Sequence, residues 1–118
     1  MDKEIRDMAW NVVERQLAGE RLPLGTAMPA AILIEVRNDD VIANVEAELR
    51  RAGIEVVNVA QKRWWLFGKR WEIEGRAPKV PMSRAETDAW VDRIEASIAQ
   101  YGAKVLLWVP LNPELNER

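Results

Sequence analysis

The stretch Arg70-Trp71-Glu72-Ile73-Glu74-Gly75-Arg76-Ala77 constrains the fold of this chain more than any other. Its charged residues alternate with apolar or small ones without a break. In extended backbone, successive side chains point to opposite faces. Trp71, Ile73, Gly75 and Ala77 therefore share one face, and Arg70, Glu72, Glu74 and Arg76 share the other. A strand of this kind belongs to a sheet covered on one side and wetted on the other, the usual condition of antiparallel sheets. The rest of the chain must supply its partner strands and one layer of cover.

It does so in a definite order. Residues 3–18 carry Ile5, Met8, Ala9, Val12, Val13, Gln16 and Leu17 at helical spacing, with Asp2 placed to cap the start and Gly19 to end it. Two prolines and a glycine make 21–29 a connecting loop. Residues 30–36 are a compact apolar run suited to a central strand. Asn38-Asp39-Asp40 starts a second helix with Val41, Ile42, Val45, Leu49 and Ala52 as its stripe, and Gly53 closes it. The β-branched run 54–60 predicts a second strand. The alternating strand follows, and Pro78 and Pro81 are expected to stop it. Ser83-Arg84-Ala85-Glu86 is a capping box that opens a helix lined by Trp90, Val91, Ile94, Ile98 and Tyr101. Gly102 ends that helix, and 103–109 is the last strand. The order is α, then β-α-β-β-α-β. This predicts an α+β fold, a ferredoxin-like βαββαβ sandwich with an extra N-terminal helix. Right-handed crossovers leave the first and third strands central. One domain spans 1–118: N-terminal helix and loop 1–29, core 30–110, polar tail 111–118.

Composition narrows the function. Cysteine and histidine are both absent. That removes disulfides, thiolate or imidazole metal sites, a cysteine nucleophile and every histidine-based triad. Ser83 is occupied as a cap, the other hydroxyls have no neighbouring base, and there is no glycine-rich phosphate loop. Glu72 and Glu74 share a strand face and could hold a proton or a cation between them. With Arg70 and Arg76 flanking them, they read as a solvated charged face. The expectation is no catalysis, no cofactor and no metal. The N-terminus is charged, and the apolar run Met28 to Ile34 is only seven residues. Both predict a cytoplasmic protein without a membrane span.

The overall charge of −2 conceals an asymmetry. Residues 61–84 hold seven basic and two acidic residues, whereas the remainder holds ten basic and seventeen acidic. Within that basic segment, residues 61–71 contain three of the six tryptophans and the only phenylalanine. Burial of one tryptophan is worth about 4–6 kcal/mol at most by apolar area, which favours packing these aromatics inside. Four consecutive apolar residues on a strand must nevertheless point both ways. The flanking cations also resemble the polar rim of a contact site, and Trp and Arg dominate binding hot spots. Trp71 is read as core. Lys62, Arg63, Trp64, Trp65, Phe67, Lys69 and Arg70 are read as a partner-binding set on the hairpin between the second and third strands.

The layout also resembles a family. Ile34-Glu35 on the first strand, Gly53-Ile54-Glu55-Val56 after the second helix, and Tyr101-Gly102 before a strand containing Trp108 are similar to the RraB family, the regulators of ribonuclease E activity. The likeness runs from about residue 4 to residue 110. Val36 and Arg37 stand where that family has histidines, and Val105-Leu106-Leu107 precedes Trp108 where it has Tyr-Asp-Gly. The resemblance implies a non-catalytic protein that docks on ribonuclease E, notably its scaffold region. Two other readings stand beside it. In the first, the basic-aromatic hairpin binds RNA by stacking and charge. In the other, the chain is a ligand-sensing or self-associating ferredoxin-like domain, in which a second copy pairs with the hairpin or along 54–60 to form a homodimer.

Overall fold

The computed structural model describes residues 1–64 and 68–111. Its elements are α1 (Lys3–Glu20), β1 (Ala27–Val36), α2 (Ile42–Arg51), β2 (Glu55–Trp64), β3 (Gly68–Pro81), α3 (Arg84–Ile98) and β4 (Lys104–Pro110), with one-turn 3₁₀ segments before α2 and after α3. The four strands form one antiparallel sheet in the order β2-β3-β1-β4, so the first and third strands are central. This is the ferredoxin-like α+β arrangement the element order predicts.

The alternation read from β3 is realised residue by residue. Ile73, Gly75 and Ala77 are buried and Trp71 is half-buried against the core, while Arg70, Glu72, Glu74 and Arg76 lie on the opposite face. The register carries the same division into β1, pairing Ile34 with Ile73 and Ile32 with Gly75 on the covered face, and Glu35 with Glu72 and Leu33 with Glu74 on the other. Val45 and Leu49 of α2 and Val91, Ile94 and Ile98 of α3 cover the apolar face. Trp90 of α3 meets Trp108 of β4 edge to face, with centroids 6.0 Å apart and planes at 89°, the geometry that the ring quadrupoles favour.

Gly75 is needed where it stands. A Cβ there would lie 2.5 Å from Ile54 Cγ2 and 3.3 Å from Ile32 Cγ2. The missing side chain lets β2 and the start of its strand close over β3.

Four local expectations are corrected. α1 runs through Gly19 and ends with Arg21 in the left-handed region at φ 56°. The Leu22 amide donates to the Leu17 carbonyl at 2.9 Å, and Leu22 packs against the core, so tertiary burial carries the turn past the glycine. Asp2 holds the cap position of α1 but makes no side-chain capping bond. The buried stripe of α1 is Ala9, Trp10, Val13 and Leu17, whereas Met8 is 59% exposed. Finally, β3 continues through Pro78 to Pro81. Beyond Arg76 it has β1 on one side and no β2 partner on the other. A proline's missing N–H therefore removes no ladder bond on the β2 side.

The extra helix lies beside α3 and against β4. Arg6 donates to Asp88 at 3.3 Å and to Asp92 at 2.5 Å, Arg84 donates to Asp7 at 2.5 Å, and the terminal amine pairs with Glu95. Such partly exposed pairs set orientation more than stability; the buried stripe supplies the latter.

Candidate partner-binding site

The hairpin that carries the basic-aromatic stretch is built by an offset between strands. β2 and β3 stay in register through Gln61–Trp71, Lys62–Arg70, Arg63–Lys69 and Trp64–Gly68. β1 ends at Val36, opposite Trp71. Residues 68–70 are thus paired to β2 alone, and the hairpin extends past the body by roughly 10 Å at ~3.3 Å per residue. Gly68 opens the return strand at φ +85°, a conformation that favours glycine.

Lys62 and Lys69 are exposed on this projection. Arg63 and Trp64 take their places in β2 by backbone pairing. Trp65 and Phe67 lie outside the described residues. Arg70 is turned back toward the body. Its Nη1 donates to Glu35 Oε2 at 3.2 Å and its Nη2 to Glu72 Oε1 at 3.4 Å. This bridge resolves a conflict in the register, since Glu35 and Glu72 sit directly opposite each other on β1 and β3, and like charges so placed repel. Lys62 Nζ reaches Glu72 Oε2 at 4.0 Å.

Glu35 is the residue at this site that the sequence reading left without a role. It is 3% exposed, although it lies on the face away from the helices. Arg37 Nε donates to its Oε1 at 2.9 Å, and Lys104 stands opposite it in β4. Burial pushes its carboxyl pKa up, but the Arg37 hydrogen bond and the charges of Lys104, Arg37 and Arg70 outweigh that and hold it below the ordinary range. The signal in the sequence is a single acid at the end of an otherwise apolar strand. A charge there must be met by cations from neighbouring strands.

Among the described residues, β1 and β3 offer no aromatic platform for bases on the open face. Arg70, Glu72, Glu74 and Arg76 occupy it on β3, and Ala31, Leu33 and Glu35 on β1. Among the described residues, no group of three or more acids is placed to hold a metal ion. No helix among them is long and apolar enough to cross a membrane.

Strand order and connectivity define the class, a ferredoxin-like two-layer domain. No protein-family model matches the chain, and neither does any curated protein. Three solved structures share its backbone course in part. An ACT domain protein from Streptococcus pneumoniae is 13% identical, with 71% of this chain and 90% of that one covered and a TM-score of 0.48. A dinuclear metal-binding peptidase of the M20 family from Bacillus subtilis is 18% identical, with 78% of this chain but only 29% of the peptidase covered and a TM-score of 0.49. A protein of unknown function from Galdieria sulphuraria is 11% identical, with 74% of this chain and 51% of that one covered and a TM-score of 0.47.

Proposed function

We propose that this chain is a non-catalytic regulatory protein that acts by protein–protein contact through the free end of the β2–β3 hairpin. One observation carries the reading: the hairpin continues beyond β1 and presents Lys62 and Lys69 on a segment whose sequence is rich in tryptophan. Cations around an apolar centre suit a partner pocket that is apolar within and acidic at its rim. The Arg70 bridge to Glu35 and Glu72 holds the hairpin at a fixed angle to the sheet, so less freedom is lost on docking. The resemblance to RraB makes ribonuclease E, and its scaffold region above all, the first partner to test.

The test is titration calorimetry of the purified chain against that scaffold region at two salt concentrations. Saturable binding that the Lys62→Glu/Lys69→Glu variant weakens at least tenfold, with unchanged thermal unfolding, supports the reading. Binding that the variant leaves intact removes the hairpin from it. Steeply salt-dependent binding to generic single-stranded RNA, with none to the protein, transfers the site to nucleic acid.

Self-association is a second reading with its own support. β2 is an edge strand, and Val57 and Val59 on it are 38% and 39% exposed. A bulge at Val57 interrupts its pairing with β3, a feature that commonly discourages edge pairing. Sedimentation of the chain across a hundredfold range of concentration decides between monomer and dimer.

A further inference from the structure

At the other end of β3 the molecule has a cleft that the hairpin does not explain. β2 begins only opposite Arg76, and α2 ends at Arg51, whereas β3 runs on to Pro81. The space left between the end of α2, the far end of β3 and the first turns of α3 is a cavity of ≈ 630 Å³, within the range of small-molecule sites. A groove of ≈ 330 Å³ between α2 and α3 adjoins it and shares Ala52, Trp90 and Arg93 with it. The walls are apolar: Ala77, Val80 and Trp90 are buried beneath it, and Ala52, Ala85 and Ala89 keep it wide.

Its polar groups are few and uncommitted. Arg93 and Lys79, both exposed at this cleft, make no ion pair among the described residues, unlike Arg84 at the start of the same helix as Arg93. Glu86 is the single acid on the lining, which leaves its ionised side chains with a net positive charge. The start of α3 also faces the cavity, and the positive end of its dipole adds to the same sign.

We propose that this cleft binds a small organic anion with a flat apolar body, an aromatic carboxylate in its simplest form. The body lies against Trp90, Val80 and the alanines, and the carboxylate meets Arg93 and Lys79. A guanidinium without a protein partner donates two parallel hydrogen bonds to a carboxylate. The neutral apolar analogue loses that contact and binds more weakly. This site lies at the opposite end of β3 from the hairpin, so it stands or falls separately from partner docking.

The experiment is amide-resolved NMR titration of the ¹⁵N-labelled chain with 2-naphthoate and, separately, with 2-naphthylmethanol. Saturable shifts at Ala52, Gly53, Lys79, Ala89 and Arg93, at least tenfold tighter for the acid than for the alcohol, are expected. Arg93→Gln is expected to remove that preference without changing the melting temperature, because Arg93 supports no ion pair in the fold. Equal binding of acid and alcohol, shifts centred elsewhere, or no saturable response overturns the proposal. Dimerisation through this cleft with no response to either compound overturns it as well.

Discussion

The two ends of β3 are built from the same strand and are opposite in kind. At its start, residues 68–70 are paired to β2 alone, carry two cations, and are tied to the body through the Arg70 bridge. At its far end, residues 77–81 are paired to β1 alone, contain two prolines, and bury Ala77 and Val80. The longest dimension of the molecule is 44 Å, a length that fourteen strand residues nearly span at about 3.3 Å each. A strand offset against both neighbours creates two sites at once. Where it overhangs one partner it projects, and where the other partner falls short it leaves a cleft. The projecting end depends on charge and the recessed end on packing, so perturbations at the two should differ in size and in response to pH.

The largest effect is expected in the core between the two ends, at the level of Gly75. Trp108→Ala removes a buried ring that lies opposite Ile32 and meets Trp90 edge-on. Loss of about 3–5 kcal/mol in urea unfolding is expected for such a truncation. A loss under 1 kcal/mol would mean that the Trp108 ring is not part of the common core.

Glu35→Ala tests the link between the body and the projecting end. It leaves Arg37 without its carboxylate and takes from Arg70 the acceptor Glu35 Oε2. A loss of about 2–3 kcal/mol at neutral pH is expected, with the hairpin amides exchanging faster than those of the core. The pH dependence has a definite sign. Because the folded-state pKa of Glu35 is held below its ordinary 4.5, its contribution is fully present above that value. It is lost as pH falls through the lower folded-state value. Acid unfolding of the wild type followed by circular dichroism should therefore include a component that Glu35→Gln lacks. Identical acid transitions would remove the bridge as a stabilising element.

Gly75→Ala lies between the two ends, where β3 is paired on both sides. The new methyl meets Ile54 Cγ2 inside contact distance. About 1–3 kcal/mol of destabilisation is expected, measured by thermal unfolding. A smaller loss follows from Ser83→Ala, since Ser83 Oγ accepts the Glu86 amide at 3.3 Å to cap α3. About 1 kcal/mol is expected there. The smallest effect on stability belongs to Lys62→Glu with Lys69→Glu, two exposed cations. Their stability change should stay within about 0.5 kcal/mol while binding changes. Should the double variant unfold instead, the projecting end is part of the fold and not a free surface.

Much of the architecture was legible along the chain. The alternation at 70–77, the glycines at 53 and 102 and the cap at Ser83 fixed element types and their order. The candidate site was legible in part. The charge and aromatic content of residues 61–71 mark the hairpin, but by its local pattern Arg70 is one more outward cation and Glu35 has no role. The ion pair between them joins residues 35 positions apart, and no local pattern encodes that.

What the sequence determined by itself is therefore what depends on near neighbours: periodicity, caps, turn glycines, and the division of each strand into two faces. Tertiary structure decided the rest. Register set how far β3 overhangs on each side, made Pro78 and Pro81 tolerable in a strand, and turned Arg70 inward to separate two facing carboxylates. Burial of Leu22 extended α1 past a glycine, and the pairs to α3 chose where the extra helix lies. The physical reason is the same in each case. A backbone preference is satisfied within a few residues, whereas a buried charge, a strand edge or an exposed apolar stripe is satisfied only by whatever segment the fold brings against it.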